Sequence, residues 1–284
     1  MSKPDNDTLK QRERDTWASV ADGWRRRDEL LRKGAAPVTQ RMLELAGITA
    51  GHRILDIASG TGEPSISAAR IAGGHGKVIG TDLTEEMLVY AREKAIEAGL
   101  TNIEYHCVDG ETLAFPANSF DAVTLRWGLM FMPEPVACLR QAHTVMKTDA
   151  RIAAACWSAP DKNPFVGVLL QTLDKYMDLP RPPPGTPGIF ALADPQRLEQ
   201  LFAAAGFRNI ELEELEIDVL EVADGQGYWD AISDLAAPVM TLVRQLDDAE
   251  RERYIAEVIS TADALRDAAS LRMRGTTWIA AASK

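Results

Sequence analysis

A short apolar run, Ile54-Leu55-Asp56-Ile57, breaks at Ala58-Ser59-Gly60-Thr61-Gly62 and passes directly into a helix-forming stretch over 63–73. A strand that ends in a glycine turn and opens a helix commits the chain to a crossover, and so to a parallel sheet with helices on its faces. Gly60 and Gly62 permit positive φ and leave bare backbone against which a ligand can lie. The next apolar run, 77–81, ends at Asp82. A carboxylate there can accept hydrogen bonds from both hydroxyls of a ribose. Turn and acid together predict a nucleoside lying across the carboxyl ends of the first two strands. Without a ligand, the same residues would make only a turn and a helix cap.

The alternation continues down the chain. Apolar runs at 103–108, 120–125 and 151–157 are separated by helical stretches, among them 84–99 and 133–147. In the first of these, Thr84 is placed as N-cap and Gly99 as the stop. Asp194-Pro195 opens a further helix with Leu198, Leu201 and Phe202 inward and Gly206 closing it. In the strand that follows, Ile210 and Leu212 lie on one parity and Leu215, Ile217 and Val219 on the other, so a bulge is expected near 213–214. The last strand is placed at 276–281. Ahead of the sheet, 1–50 reads as a helical cap. Trp17, Val20, Ala21 and Trp24 recur at helical spacing, and a second helix after Pro37 carries Val38, Met42, Leu43 and Leu45. The fold class is α/β, a mostly parallel Rossmann-like sheet covered on both faces. Its core spans 51–220 and 276–284. An insertion at 158–193 contains the proline-rich stretch 179–188, and a largely helical insertion at 221–275 is read as a lid.

With 46% hydrophobic residues the chain can bury a sizeable core. Its formal net charge of −11 repels phosphate backbones and anionic lipid surfaces, so nucleic acid is not an expected partner. Arg25, Arg26 and Arg27 read as a solvated helix face. Cys107, Cys138 and Cys156 are too scattered for a zinc site or a disulfide framework and read as buried thiols of a reducing compartment. No run approaches the roughly 20 apolar residues that span a bilayer, and 1–11 lacks a signal-peptide core. A cytoplasmic protein without integral membrane association is expected; a homodimer is left open.

The identity of the nucleoside turns on three residues. A dinucleotide site wants a third glycine where this chain has Ser65, and Glu63 would repel a diphosphate. Asp56 has no role in that chemistry but would suit a ligand carrying an ammonium group. With these residues the segment resembles the first motif of the class I, seven-stranded S-adenosylmethionine-dependent methyltransferases. It is most similar to the ubiquinone/menaquinone-biosynthesis-type small-molecule group. Asp56, Ala58, Gly60 and Gly62 match the motif, with alanine at a position where glycine is frequent. The resemblance implies S-adenosylmethionine as cofactor, with Asp82 binding the ribose, Asp109 taking the adenine amino group, and Leu83, Met87 and Gly110 also in the cofactor site. It further implies that Arg126 and Trp127, within Phe120-Asp121-Ala122-Val123-Thr124-Leu125-Arg126-Trp127-Gly128-Leu129, border cofactor and acceptor. A sixth strand and an antiparallel seventh are implied as well.

Methyl transfer is an in-line displacement, in which positioning supplies much of the rate and a base is needed only where the acceptor carries a proton. His106, near the end of the third strand, is the one candidate base, though a strand histidine is more often structural. No metal is expected. Trp17, Trp24, Met130, Trp157, Phe165, Phe190, Tyr228 and Trp229 lie in or beside the insertions and could wall a pocket for a hydrophobic or aromatic small molecule. Methyl transfer to carbon or oxygen of such an acceptor is the leading expectation. An NAD(P)-dependent oxidoreductase and a non-catalytic cofactor-binding member of the fold remain as alternatives.

Overall fold

The computed structural model describes residues 5–180, 185–267 and 269–284, so 181–184 of the proline-rich stretch and 1–4 of the N-terminal segment lie outside the described residues. Three helices come first: α1 (Asn6–Ala18), α2 (Ala21–Arg26) and α3 (Asp28–Leu45). Then follow β1 (Arg53–Ile57), α4 (Ser65–Ala72), β2 (Lys77–Asp82), α5 (Glu85–Glu97), β3 (Ile103–Cys107), β4 (Phe120–Arg126), α6 (Pro135–Val145) and β5 (Met146–Trp157). The remainder comprises α7 (Pro164–Leu173), α8 (Pro195–Ala204), β6 (Arg208–Val222), α9 (Gly225–Leu235), α10 (Ala237–Val243), α11 (Asp248–Asp263) and β7 (Leu271–Ser283).

The strands form one seven-stranded sheet in the order β3-β2-β1-β4-β5-β7-β6. β1 runs parallel to β2 and β4, and β4 to β5, while β7 is antiparallel to both β5 and β6. After β3 the chain crosses back over β2 and β1 to reach β4. The carboxyl ends of β1 and β4 therefore flank the switch point at which open sheets bind ligands. The central strands are buried on both faces, as Ile54, Leu55, Val123 and Leu125 show. Consecutive residues of β1 identify the two layers. Asp56 is bonded by Ser65 of α4, and Ile57 on the opposite face stands against Gly110, with Cys138 of α6 close by. α3 packs across β5, β6 and β7.

Several local expectations change. α3 runs through Pro37 instead of starting there. Burial of Ala35, Val38, Met42 and Leu43 against the sheet outweighs the lost amide donor. β6 carries no bulge at 213–214: pairing with β7 is continuous from Glu211 to Asp218, and its register shifts fall between Arg208 and Glu211 and between Asp218 and Leu220. The change of parity has another cause. Glu213 points toward α3, where Arg41 holds it at 2.9 Å, so Leu215 and Ile217 face the same way. Ile210 and Leu212 face the layer that holds α8. β7 begins five residues earlier than the expected 276. Thr84 occupies the N-cap position of α5 without a side-chain cap. Its amide is bonded instead by Asp82, at 2.9 Å.

Arg25 and Arg26 are exposed, as a solvated face requires, and carry surface ion pairs: Arg25 with Glu93, and Arg26 and the less exposed Arg27 with Asp234 of α9, at 2.6 and 2.8 Å. One surface expectation fails. Cys107 is exposed on the edge strand, whereas Cys138 and Cys156 are buried. No described helix is long and apolar enough to cross a membrane.

Candidate functional site

The glycine turn is held from below. Asp56 is fully buried and accepts hydrogen bonds from Ser65 Oγ of α4 and from Thr124 Oγ1 of β4, the latter at 2.7 Å. Burial pushes its carboxyl up to about 6, although both hydroxyls favour the charged form. The side chain thus ties β1, β4 and α4 together beneath the turn and does not face the cavity above it. The expectation that it meets a ligand's ammonium group is corrected accordingly. Ala58, Gly60 and Gly62 have φ of 55°, 52° and 109°. For Ala58 this left-handed conformation costs about 1 kcal/mol. The loop after β4 closes so tightly on the turn that a Cβ at Gly128 would lie 2.3 Å from that of Ala58. Gly62 faces inward, where a Cβ would press on Ile66 and the Tyr105 hydroxyl, so it serves packing and does not line the cavity. A Cβ at Gly60 meets nothing within 4 Å, leaving the backbone there open.

Asp82 closes the turn from the side. Its Oδ2 accepts from the Gly60 amide and its Oδ1 from the Thr84 amide, both at 2.9 Å. Burial raises its carboxyl above the usual value against these two donors. Two residues past β3, Asp109 caps a single helical turn, accepting from the Glu111 amide on Oδ1 and from Lys10 Nζ on Oδ2, the latter at 2.7 Å. Lys10 also reaches Glu111 Oε2 at 2.6 Å. The first helix is thereby pinned over the loop in which the adenine partner is expected.

These groups open onto one cavity of about 1110 Å³. Ala58, Gly60, Asp82, Leu83, Met87, Asp109, Gly110, Arg126 and Trp127 line it, as do Trp17, Trp24, Met130, Trp157, Phe165 and Phe190. Trp127 stacks on Trp157 at 4.3 Å and donates through Nε1 to Thr277; Trp157 in turn meets Phe165 at 4.6 Å. Trp17 meets Phe131 edge-on at 5.1 Å. Besides Asp56 and Gly62, three further expected residues lie elsewhere. Tyr228 is fully buried and spends its hydroxyl on the Phe165 carbonyl, joining α9 to α7. Trp229 turns toward Tyr254 of α11. His106 stands half-exposed on the edge strand beside Glu104, at 3.2 Å, outside the cavity and unable to act as its base.

Sequence reasoning missed two side chains of the first helix. Lys10, Glu13 and Trp17 recur at helical spacing and face the cavity together. That spacing was the available signal, but α1 has no buried residue to announce an inner face. Beside the turn, Arg126 donates to Thr39 Oγ1 at 2.6 Å and lies 5.1 Å from the Trp127 ring. Burial pulls its guanidinium below the ordinary value, and Glu63, Asp56 and Asp28 act on it only through space. Glu63 bonds the Ser67 amide at 3.2 Å and also lines the cavity. A carboxylate and a guanidinium beside the turn suit the two charged ends of an amino acid, Asp82 suits a ribose diol, and the aromatic walls suit an apolar molecule. Among the described residues, no cluster of three or more His, Cys, Asp or Glu side chains is placed to hold a metal.

The ubiE/COQ5 methyltransferase family matches residues 11–180. The ubiquinone/menaquinone biosynthesis C-methyltransferase UbiE of Cellvibrio japonicus is 29% identical over 232 residues, covering 76% of this chain and 91% of that protein. Its namesake from Yersinia pestis is 30% identical over 209 residues, covering 68% and 81%. Among solved structures, the YcgJ protein of Bacillus subtilis superposes with a TM-score of 0.55 at 19% identity, covering 87% of this chain and 97% of that one. The [4+2]-cyclase SpnF also gives 0.55, at 20% identity, covering 88% and 81%. At such identities these two structures share the fold.

Proposed function

The chain belongs to the ubiE/COQ5 methyltransferase family, and from that premise we propose that it carries S-adenosylmethionine across the β1–β2 ends and methylates an aromatic, quinone-type small molecule. The observation that carries this reading is the convergence of the open glycine turn, the Asp82 carboxylate and an aromatic-walled space in one cavity of about 1110 Å³. That volume exceeds the range usual for a single drug-sized ligand, which favours two ligands side by side. The donor set fits the cofactor. Asp82 would accept from the ribose hydroxyls, Asp109 and Gly110 would meet the adenine, and Arg126 and Glu63 would take the carboxylate and ammonium of the methionine end. When bound, S-adenosylmethionine supplies a methyl group on a positively charged sulfur. The chain's own share is to orient the acceptor between Trp17, Phe131, Trp157 and Phe165 and to exclude water. The segment 1–50 and the helices between β6 and β7 act in this reading as cap and lid over one sheet domain. The names of the UbiE relatives support a quinone-type acceptor and transfer to carbon.

Thermal melts with S-adenosylmethionine, S-adenosylhomocysteine and NADH test the cofactor. A ligand at about 100 times its Kd adds roughly 2.7 kcal/mol, or about 5–11 °C for a chain near this size. A shift with the two sulfur nucleosides is expected, and a shift with NADH alone overturns the reading. Asp82→Ala should weaken S-adenosylhomocysteine binding by about 10-fold or more, since it removes hydrogen bonds to a charged acceptor. Calorimetry on the folded variant reads this directly. Unchanged affinity would move the ribose elsewhere.

A further inference from the structure

Glu13 lines the cavity from α1. One of its carboxylate oxygens, Oε2, is buried without a hydrogen-bond partner. A buried, unpartnered carboxylate oxygen is rare in a folded protein, because losing water without a replacement is costly. One turn before it Lys10 sits on Asp109 at the expected adenine end, and one turn after it Trp17 meets Phe131 on the acceptor side. Glu13 thus stands between the two halves of the cavity, its carboxyl beside the Trp17 indole and its Oε2 without a donor. We propose that Glu13 accepts the proton of a hydroxyl on the methyl acceptor, as a base set apart from the carboxylates assigned to the cofactor.

This inference rests on the methyltransferase reading and deepens it. In the step, the acceptor's O–H bond breaks and its proton passes to the Glu13 carboxylate. The electron pair left on oxygen, or shared with the adjacent ring carbon, forms the new bond to the methyl carbon. The carbon–sulfur pair stays with sulfur, leaving a neutral thioether. Where carbon is methylated, the ring regains aromaticity by moving the proton of that carbon to the oxygen, and Glu13 returns its proton to solvent.

The surroundings leave Glu13 free for this role. On its own helix Lys10 is committed to Asp109 and Glu111, and Arg14 to the Leu83 carbonyl and Gln11. On α5, Glu85 is paired with Arg92, and Glu86 lies in the same first turn; α10 carries no charged residue between Ala237 and Val243. Asp82 lines the same cavity. None of these sets the carboxyl's affinity: burial pushes it up to about 7, and the Trp17 indole opposes that in part. A base poised near neutral pH is the one general base catalysis favours.

The test compares wild type with Glu13→Gln. The first readout is binding, with S-adenosylhomocysteine saturating, of 4-methylphenol against 4-methylanisole, which differ by the hydroxyl proton, the phenol keeping that proton well above pH 7. Wild type should prefer the phenol by about 10-fold above pH 7, as a charge-assisted hydrogen bond allows. The preference should fade below pH 6 and in the variant. The second is methyl transfer to a 2-prenyl-1,4-naphthohydroquinone kept reduced. The variant should lose about 100-fold or more in kcat, beyond a rise in KM of no more than about 10-fold. It should also lose the fall in rate that wild type shows below pH 7. A wild-type pH profile and rate in the variant would overturn the proposal, as would equal binding of phenol and ether by wild type. So would a 10-fold loss of S-adenosylhomocysteine affinity in the variant, which would assign Glu13 to the nucleoside. If neither protein methylates the hydroquinone while wild type still selects the phenol, the quinone-type acceptor falls and Glu13 stands. If wild type binds no sulfur nucleoside, the cofactor reading falls first.

Discussion

Ala58 shows how a single residue can carry strain at a binding turn. Its φ of 55° is one that glycine adopts freely, so Ala58→Gly should stabilise the protein by up to about 1 kcal/mol. The urea midpoint should rise with an unchanged slope. Asp56 below it predicts a pH dependence. Its folded value, about 6, lies above the ordinary 3.8, so the fold favours the protonated form. The contribution is complete below the ordinary value and is lost as the pH rises through about 6. Wild type should therefore lose stability across that window, and Asp56→Asn should flatten the slope; an identical slope in both proteins would contradict the burial argument. At this scale the turn, Asp82 and most of the aromatic wall were legible, because strand ends and glycine turns are set by local pattern. Tyr228 and Trp229 were not. Both lie on a helix with one face toward the cavity, and only the packing of α9 on α7 and α11 decides which side chains that face receives.

Among the elements, α3 depends most on close approach. A Cβ at Gly34 would lie 2.1 Å from the Val219 carbonyl oxygen of β6. Gly34→Ala must push helix and strand apart and should cost about 1–3 kcal/mol, lowering the Tm by roughly 2–12 °C. A melt within 1 °C of wild type would mean that α3 can shift without loss. The same contact explains where the chain's pattern misleads. Pro37 signals a helix start, yet the helix is fixed by what lies on either side of it: Gly34 against β6 and Val38 and Met42 in the core. The parity change in β6 suggests a bulge, yet the pairing with β7 is continuous there, since the sheet is covered on opposite faces along its length. Periodicity reports burial, and it cannot say which neighbour does the burying.

Across the whole molecule, the cavity joins parts distant in sequence, with the strand ends below and α1 and α2, packed against α9 and α10, around it. α1 is the lightest member: it has no buried residue, and it is held by Lys10 on Asp109 and Glu111 and by Trp17 on Phe131. Elements with so little buried surface open first. Trypsin should cut at Arg12 or Arg14 before the sheet unfolds, and saturating S-adenosylhomocysteine should slow that cut about 10-fold or more if α1 closes over the nucleoside. Equal cutting rates would show that α1 stays indifferent to the ligand. The position of β7 bears on how such a chain comes into being. β7 follows β6 in sequence but lies between β5 and β6 in the sheet, with α9–α11 in the stretch that joins the two. While the chain is still emerging from the ribosome, β5 therefore offers a bare edge and β6 has nothing to pair with until 271–283 have been made. During that interval the nascent protein exposes open strand edges of the kind that other chains can join. The arrival of one strand fills the gap in the sheet and anchors the far end of the helices that roof the cavity.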